Sequence, residues 1–240
     1  MSSSTSNARA VRIPQTRLAR ATRMGTMTAG VAGNMAFNGL MQLGRGQQPT
    51  ARDLLLTPGN IRRIADQLAR MRGAAMKIGQ LMSMDTGDML PPELADIMAR
   101  LRADADFMPP KQLQGVLNDA WGAGWRKQFA GFDVRPMAAA SIGQVHKARL
   151  PDGRELAIKV QYPGVARSID SDVTNVGRLI QLSGLAPPGF DLGPYLDEAR
   201  AQLHQEADYE RESTYLKRFF ELLGHEADFA VPEMVPELTT

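Results

Sequence analysis

A lysine set between apolar residues of a strand is the first group in this chain that could do chemistry. In Ala157-Ile158-Lys159-Val160 the lysine faces away from Ile158 and Val160, because successive strand side chains alternate. Such an ammonium either snorkels to solvent or meets an anion. The second candidate is Glu206-Ala207-Asp208-Tyr209-Glu210-Arg211-Glu212, read as part of one long helix. There Asp208 and Glu212 are four apart and share a face, while Glu206 lies about 200° round the helix from Asp208. One helix could then offer a carboxylate to Lys159 and another to a second cation or a metal. A solvated charged face with Arg211 and Lys217 accounts for the same residues. The third candidate is Lys77-Ile78-Gly79-Gln80, in which Lys77 and Gln80 share a helical face. Gly79 costs roughly 1 kcal/mol against alanine in a helix interior, and Gly73 repeats that cost six residues earlier. Tolerated glycines let another backbone come close; tight packing beside a surface lysine is the plainer alternative.

The elements that must position these groups are legible from periodicity. After Thr57-Pro58-Gly59-Asn60, the residues Ile64, Leu68, Met71, Ala75, Ile78 and Met82 form one apolar stripe. That stripe predicts a single helix ending near Asp85-Thr86-Gly87. Pro91-Pro92-Glu93 opens a second helix, with Leu94, Ile97, Met98 and Leu101 inward, closed by Phe107-Met108-Pro109-Pro110. A third runs from Pro110 to Ala120. Phe129 to Met137 reads as irregular, and Ala138 to Ser141 as a loop of small residues. Val145–Leu150 and Glu155–Gln161 read as an antiparallel hairpin about Pro151-Asp152-Gly153-Arg154. Ile169 to Leu182 is a helix, Pro194 to about Leu223 the longest helix, and Phe229 to Leu238 a further strand or two.

Composition narrows the chemistry. With 240 residues, 43% hydrophobic and 22% charged, the chain is globular. It has no cysteine, which excludes disulfides, Cys-ligated metals and thiol catalysis. Its histidines, His146, His204 and His225, lack ligand spacing, so no metal site is expected. A net charge of +2 gives no reason to expect a nucleic-acid partner. The first 52 residues hold Arg9, Arg12, Arg17, Arg20, Arg23, Arg45 and Arg52 but no acidic residue or lysine. That pattern fits an organellar transit peptide, a bacterial tail touching anionic lipid, or a solvated disordered tail. Met24 to Gly44 is uncharged but diluted by five glycines and two asparagines, so it reads as a packed or interfacial helix rather than a membrane span.

Taken in order, four strings resemble the UbiB/AarF family of atypical protein-kinase-like proteins, in the subgroup linked to coenzyme Q (ubiquinone) biosynthesis. They are Lys77-Ile78-Gly79-Gln80; Ala138-Ala139-Ala140-Ser141-Ile142-Gly143-Gln144-Val145-His146; Lys159-Val160-Gln161-Tyr162-Pro163-Gly164-Val165; and Glu206 to Glu212. The resemblance runs from about Arg12 to Leu238. It implies an α+β fold: a protein-kinase-like N-terminal lobe, with a small antiparallel sheet and a C-helix, behind a helical extension. The implied divisions are a basic segment over 1–52, the extension over 53–120 and the lobe over 121–240. By this resemblance Lys159 looks like the nucleotide-binding lysine and Glu212 its ion-pair partner. Ala138 to Ser141 stands in place of a glycine-rich loop, and with Ile142, Gly143 and Val145 lines the nucleotide. Lys77, Gly79 and Gln80 match a gating helix that blocks the place of a protein substrate, and Glu206 and Asp208 the acidic motif that contacts its lysine.

The implied ligand is ATP or ADP with magnesium, whose protein ligands belong to a C-terminal lobe. The catalytic-loop aspartate, its asparagine and the metal-binding aspartate of such a lobe have no counterpart in this sequence. The chain is therefore expected to stop where a hinge would begin, straight after Glu237-Leu238-Thr239-Thr240, and to be inactive alone. The alternative function is a non-catalytic module docking on anionic lipid or a quinone-biosynthesis complex. The expected location is the bacterial cytoplasm or peripheral inner membrane, with the mitochondrion as alternative.

Overall fold

Thr57 starts the first helix: its Oγ1 accepts the Asn60 amide at 3.3 Å, and Pro58 fills the first turn, where no amide partner is needed. The computed structural model describes residues 57–86, 92–103, 107–183 and 189–240, with 33, 35–37, 41, 54, 185 and 186. The basic run from Arg9 to Arg52 lies outside the described residues. So does most of Met24–Gly44, of which Gly33, Met35–Phe37 and Met41 are helical.

The single first helix predicted from periodicity is two: α1 (Pro58–Arg70) and α2 (Arg72–Thr86). Met71 sits between them at φ −106, ψ 35, its amide closing on the Leu68 carbonyl. The whole apolar stripe from Ile64 to Met82 is nevertheless buried. The break frees Arg72, whose Nε donates to the Leu101 carbonyl at 3.0 Å and whose Nη1 donates to the Ala140 carbonyl at 2.8 Å. Then come α3 (Pro92–Ala103) and α4 (Pro110–Trp121), close to their predicted bounds, and α5 (Val165–Leu182), which starts four residues ahead of Ile169.

The longest predicted helix is also two, α6 (Gly193–Ala207) and α7 (Tyr209–Leu223). Asp208 interrupts it at φ −89, ψ 86, and its Oδ1 accepts the Arg211 amide at 2.9 Å. A short carboxylate that satisfies a free helix amide competes with helix continuation. The shared helical face read for Asp208 and Glu212 is therefore corrected: Asp208 is a cap.

The sheet is antiparallel throughout. Strand β3 (Gly143–Arg149) pairs with β4 (Glu155–Gln161) on one edge, in register from Gly143↔Gln161 to Arg149↔Glu155. Its other edge takes β1 (Gly131–Phe132) and β2 (Ala138–Ala139). Three expectations change here. Ala138–Ala139 is a strand rather than loop, and β1 lies within the stretch read as irregular. Phe229–Leu238 forms no strand; it ends in a 3₁₀ turn, Pro236–Leu238, that receives the Trp121 indole N–H on the Leu238 carbonyl at 3.1 Å. Pro232 and Pro236 remove ladder donors from that stretch.

Two cores result, and they cut across position 120. Helices α1, α2, α3, α5 and α6 share one, built on Ile64, Leu68, Ile78, Leu94, Val173 and Leu203. Helix α4 instead packs on the sheet with Trp125, Phe129 and Phe132. The fold is α+β, a small antiparallel sheet with helices, as expected.

A buried polar relay joins the α3–α4 connection to the sheet. The Met108 amide donates to Gln144 Oε1 at 2.8 Å, so Gln144 Nε2 must donate to His146 Nε2, also at 2.8 Å. His146 then carries its proton on Nδ1 and donates to the Asp133 carbonyl at 2.7 Å. Burial pushes the His146 pKa below the usual 6.5, against the opposing pull of Asp133. The fold thus needs neutral imidazole, and its contribution is complete above about pH 6.5 and lost as pH falls below that value. Urea denaturation of wild type should show stability falling from pH 7 to pH 5, with up to about 1.4 kcal/mol per pH unit from this group. His146→Phe should be less stable at pH 7 but should lack that part of the slope; an identical slope contradicts the assignment.

Candidate functional site

The strand register gathers the predicted residues on one sheet face. Val145 lies opposite Ala138 on β2 and opposite Lys159 on β4. Directly opposed residues of antiparallel strands share a face, so Ala138, Val145 and Lys159 form a row. The other face, with His146, Ala148 and Val160, is buried against the aromatic cluster of Trp125, Phe129 and Phe132. Helix α7 borders the open face. Both Glu212 oxygens meet the Lys159 ammonium, at 2.7 and 2.6 Å. The pair is 35% and 49% exposed, so it contributes no more than about 1 kcal/mol to stability. Its consequence is placement: it brings an ammonium and a carboxylate together on an accessible strand face.

Tyr209, one turn before Glu212, puts its ring face 4.7 Å from that ammonium. Its pKa is pushed up by burial first, then by the charges of Glu212 and Glu206 and by Tyr162. Nothing in the apolar periodicity marks this residue; its position just inside the Asp208 cap is the only local signal.

Glu206 ends α6 beside a different set of groups. It forms an ion pair with Lys77 of α2, and its second oxygen accepts the Ser141 hydroxyl at 2.7 Å. Lys77 is 14% exposed and Glu206 31%. Helix α2 touches the same segment twice more, through Arg72 on the Ala140 carbonyl and through Gly73. A Cβ at Gly73 would lie 2.7 Å from Ile142 Cγ2 and 3.2 Å from the Ser141 carbonyl, so this glycine serves a close approach. Gly79 does the same against Met98 of α3. Gln80 is exposed. The partner of Lys77 is Glu206, while Asp208 spends its carboxylate on the α7 cap.

A cavity of about 580 Å³ lies beyond the far side of β4, between α4 and α7 and under Pro232–Val235. Lys159, Tyr209 and Glu212 line it with Leu156, Ile158 and Leu216. Ala138, Ala139, Ala140, Ser141, Ile142, Gly143 and Val145 do not. Lys159 therefore stands between two spaces, the cavity and the open face that holds β2.

The ABC1 atypical kinase-like domain matches residues 100–240. "Atypical kinase COQ8, mitochondrial" of Saccharomyces cerevisiae is 43% identical over 228 residues, which cover 95% of this chain and 46% of that protein. "Atypical kinase coq-8, mitochondrial" of Caenorhabditis elegans is 42% identical over 233 residues, covering 95% and 31%. A solved structure, the Rv3197–erythromycin complex from Mycobacterium tuberculosis, is 31% identical with TM-score 0.44, covering 75% of this chain and 47% of that one. The chain spans less than half the length of these two curated relatives. It belongs to the ABC1 atypical kinase-like family.

The Lys77–Glu206–Ser141 cluster should behave as a unit. Glu206→Gln leaves a mostly buried ammonium unpaired and should destabilise by about 1–3 kcal/mol. Lys77→Met with Glu206→Gln should cost less than the sum of the two single changes, by 0.5 kcal/mol or more at this order of magnitude (~0.5–3 kcal/mol). Urea titration of the four proteins checks it; strict additivity contradicts the coupling.

Proposed function

We propose that this chain is the nucleotide-facing part of an atypical kinase-like ATP-binding protein that supports ubiquinone biosynthesis. The single observation that carries the proposal is the Lys159–Glu212 pair between β4 and α7. A strand lysine paired to a helix glutamate is the arrangement that places an ammonium on nucleotide phosphates. The kinase names of the relatives support the same reading. In this reading Lys159 meets the phosphates, Glu212 orients it, and the segment from Ala138 to Val145 borders the nucleotide.

The residues present fit such a ligand in part. Lys159 is accessible on a face bordered by β2. Non-glycine residues with positive φ are absent among the described residues, so Ala138 to Ser141 takes ordinary backbone angles. Magnesium would neutralise charge building on the transferred phosphoryl group. Among the described residues no three His, Asp or Glu side chains converge to hold a metal; the resemblance assigns its protein ligands to a C-terminal lobe. Lys77, held by Glu206, keeps α2 against the Ala138–Ile142 segment and closes that side to a protein substrate. The mitochondrial names of the relatives support the organellar alternative for the first 52 residues. No helix among the described residues is long and apolar enough to cross a membrane.

Titration of a fluorescent ADP analogue with magnesium tests the proposal. Wild type should bind, and Lys159→Ala should weaken binding about tenfold or more, equivalent to about 1.4 kcal/mol. Equal affinity in the two proteins contradicts it. The 240-residue chain should show no Lys159-dependent ATP hydrolysis; a rate that falls in Lys159→Ala contradicts the inactivity of this part alone.

A further inference from the structure

Glu212 is a poor restraint by itself. It and Lys159 are both long, flexible and substantially exposed, and such pairs exchange freely with solvent. A second contact limits the ammonium. Tyr209 presents its ring face 4.7 Å from Lys159 Nζ, well inside the range of cation–π attraction. The far end of the ring lies beside Gly143 of β3. The Tyr209 hydroxyl is buried and has no hydrogen-bond partner. It abuts Gly143, where a Cβ would come within 2.9 Å of the hydroxyl and 2.6 Å of the Val160 carbonyl. A side chain at 143 would therefore meet the β4 backbone as well as the hydroxyl. Leaving a buried hydroxyl unpaired is unfavourable, and a phenylalanine would avoid it.

We propose that Tyr209 is a positioning residue for Lys159, its ring holding the ammonium in place where an incoming phosphate would meet it. This rests on the nucleotide-binding reading of Lys159. The chemistry distinguishes the two partners. Glu212 holds the ammonium but neutralises it; the ring holds it and leaves its full charge for a phosphate. When Lys159 turns toward phosphate and loosens from Glu212, the ring keeps it from swinging into solvent. Burial and the two nearby carboxylates push the phenol pKa up, so the ring stays neutral and does not compete as an anion.

The contact has a signature that needs no ligand. Protons above an aromatic face shift upfield, so the ε-methylene of Lys159 in lysine-labelled protein, assigned by Lys159→Arg, should resonate upfield of the other lysines. Tyr209→Phe should keep that shift and bind the ADP analogue within about twofold of wild type. Tyr209→Leu should abolish the shift and weaken binding by about tenfold. An unshifted Lys159 in wild type overturns the proposal, and so does a Tyr209→Leu protein with shift and affinity intact. If Tyr209→Leu does not fold, the wild-type shift and the Tyr209→Phe comparison still decide. Should Lys159→Ala bind nucleotide normally while the wild-type shift is present, the nucleotide reading falls and the positioning contact stands.

Discussion

One aspartate cap separates the two carboxylates on which the site depends. In an unbroken helix Glu206 and Glu212 would lie about 240° apart round a single axis. Asp208, in non-helical backbone, ends α6 and caps α7 through the Arg211 amide, so the two carboxylates stand on separate helices. Glu206 then belongs to α6 and meets Lys77 and Ser141, while Glu212 belongs to α7 and meets Lys159. Gln161 secures the junction by donating to the Ala207 carbonyl at 2.8 Å. An uncapped helix here could not serve both the helical layer and the sheet.

The Ala138–Ile142 segment is consequently set from outside. Arg72 holds the Ala140 carbonyl, Gly73 admits Ile142, and Glu206 holds the Ser141 hydroxyl. Each contact is modest, but all three tie the segment to α2 and α6, whose apolar faces share the larger core. The segment's contacts thus come from the helical layer rather than from its own sequence. Opening this segment would require α2 to move, and α2 carries buried Ala75, Ile78 and Met82.

The sequence made some of this plain and hid the rest for identifiable reasons. Alternation in Glu155–Gln161 and the Asp152-Gly153 turn revealed the hairpin, and proline at helix starts revealed α3 and α4. The resemblance led to expecting Lys159 paired with Glu212 and Lys77 near Glu206 or Asp208; the structure has the first pair and, of the second two, Glu206. The break at Met71 was invisible because the apolar stripe runs through it, and the break at Asp208 because a capping carboxylate inside an acidic string looks like any helical one. Strand β2 was invisible because two alanines carry no strand propensity; only pairing with Gln144 and Val145 makes them one. Phe229–Leu238 looked like a strand by its apolar content, but its prolines prevailed. Tyr209 could not be found because the ammonium its ring meets lies on a distant strand.

Lys159 borders both the open sheet face and the cavity beyond β4, and the account places nucleotide phosphates on the former. Amide chemical-shift mapping with magnesium and ADP separates the two spaces most directly. The account predicts perturbations centred on Ala138, Ser141, Val145 and Lys159. Perturbations confined to Val116, Leu216 and Val235, which line the cavity, or no perturbation at all, would contradict it.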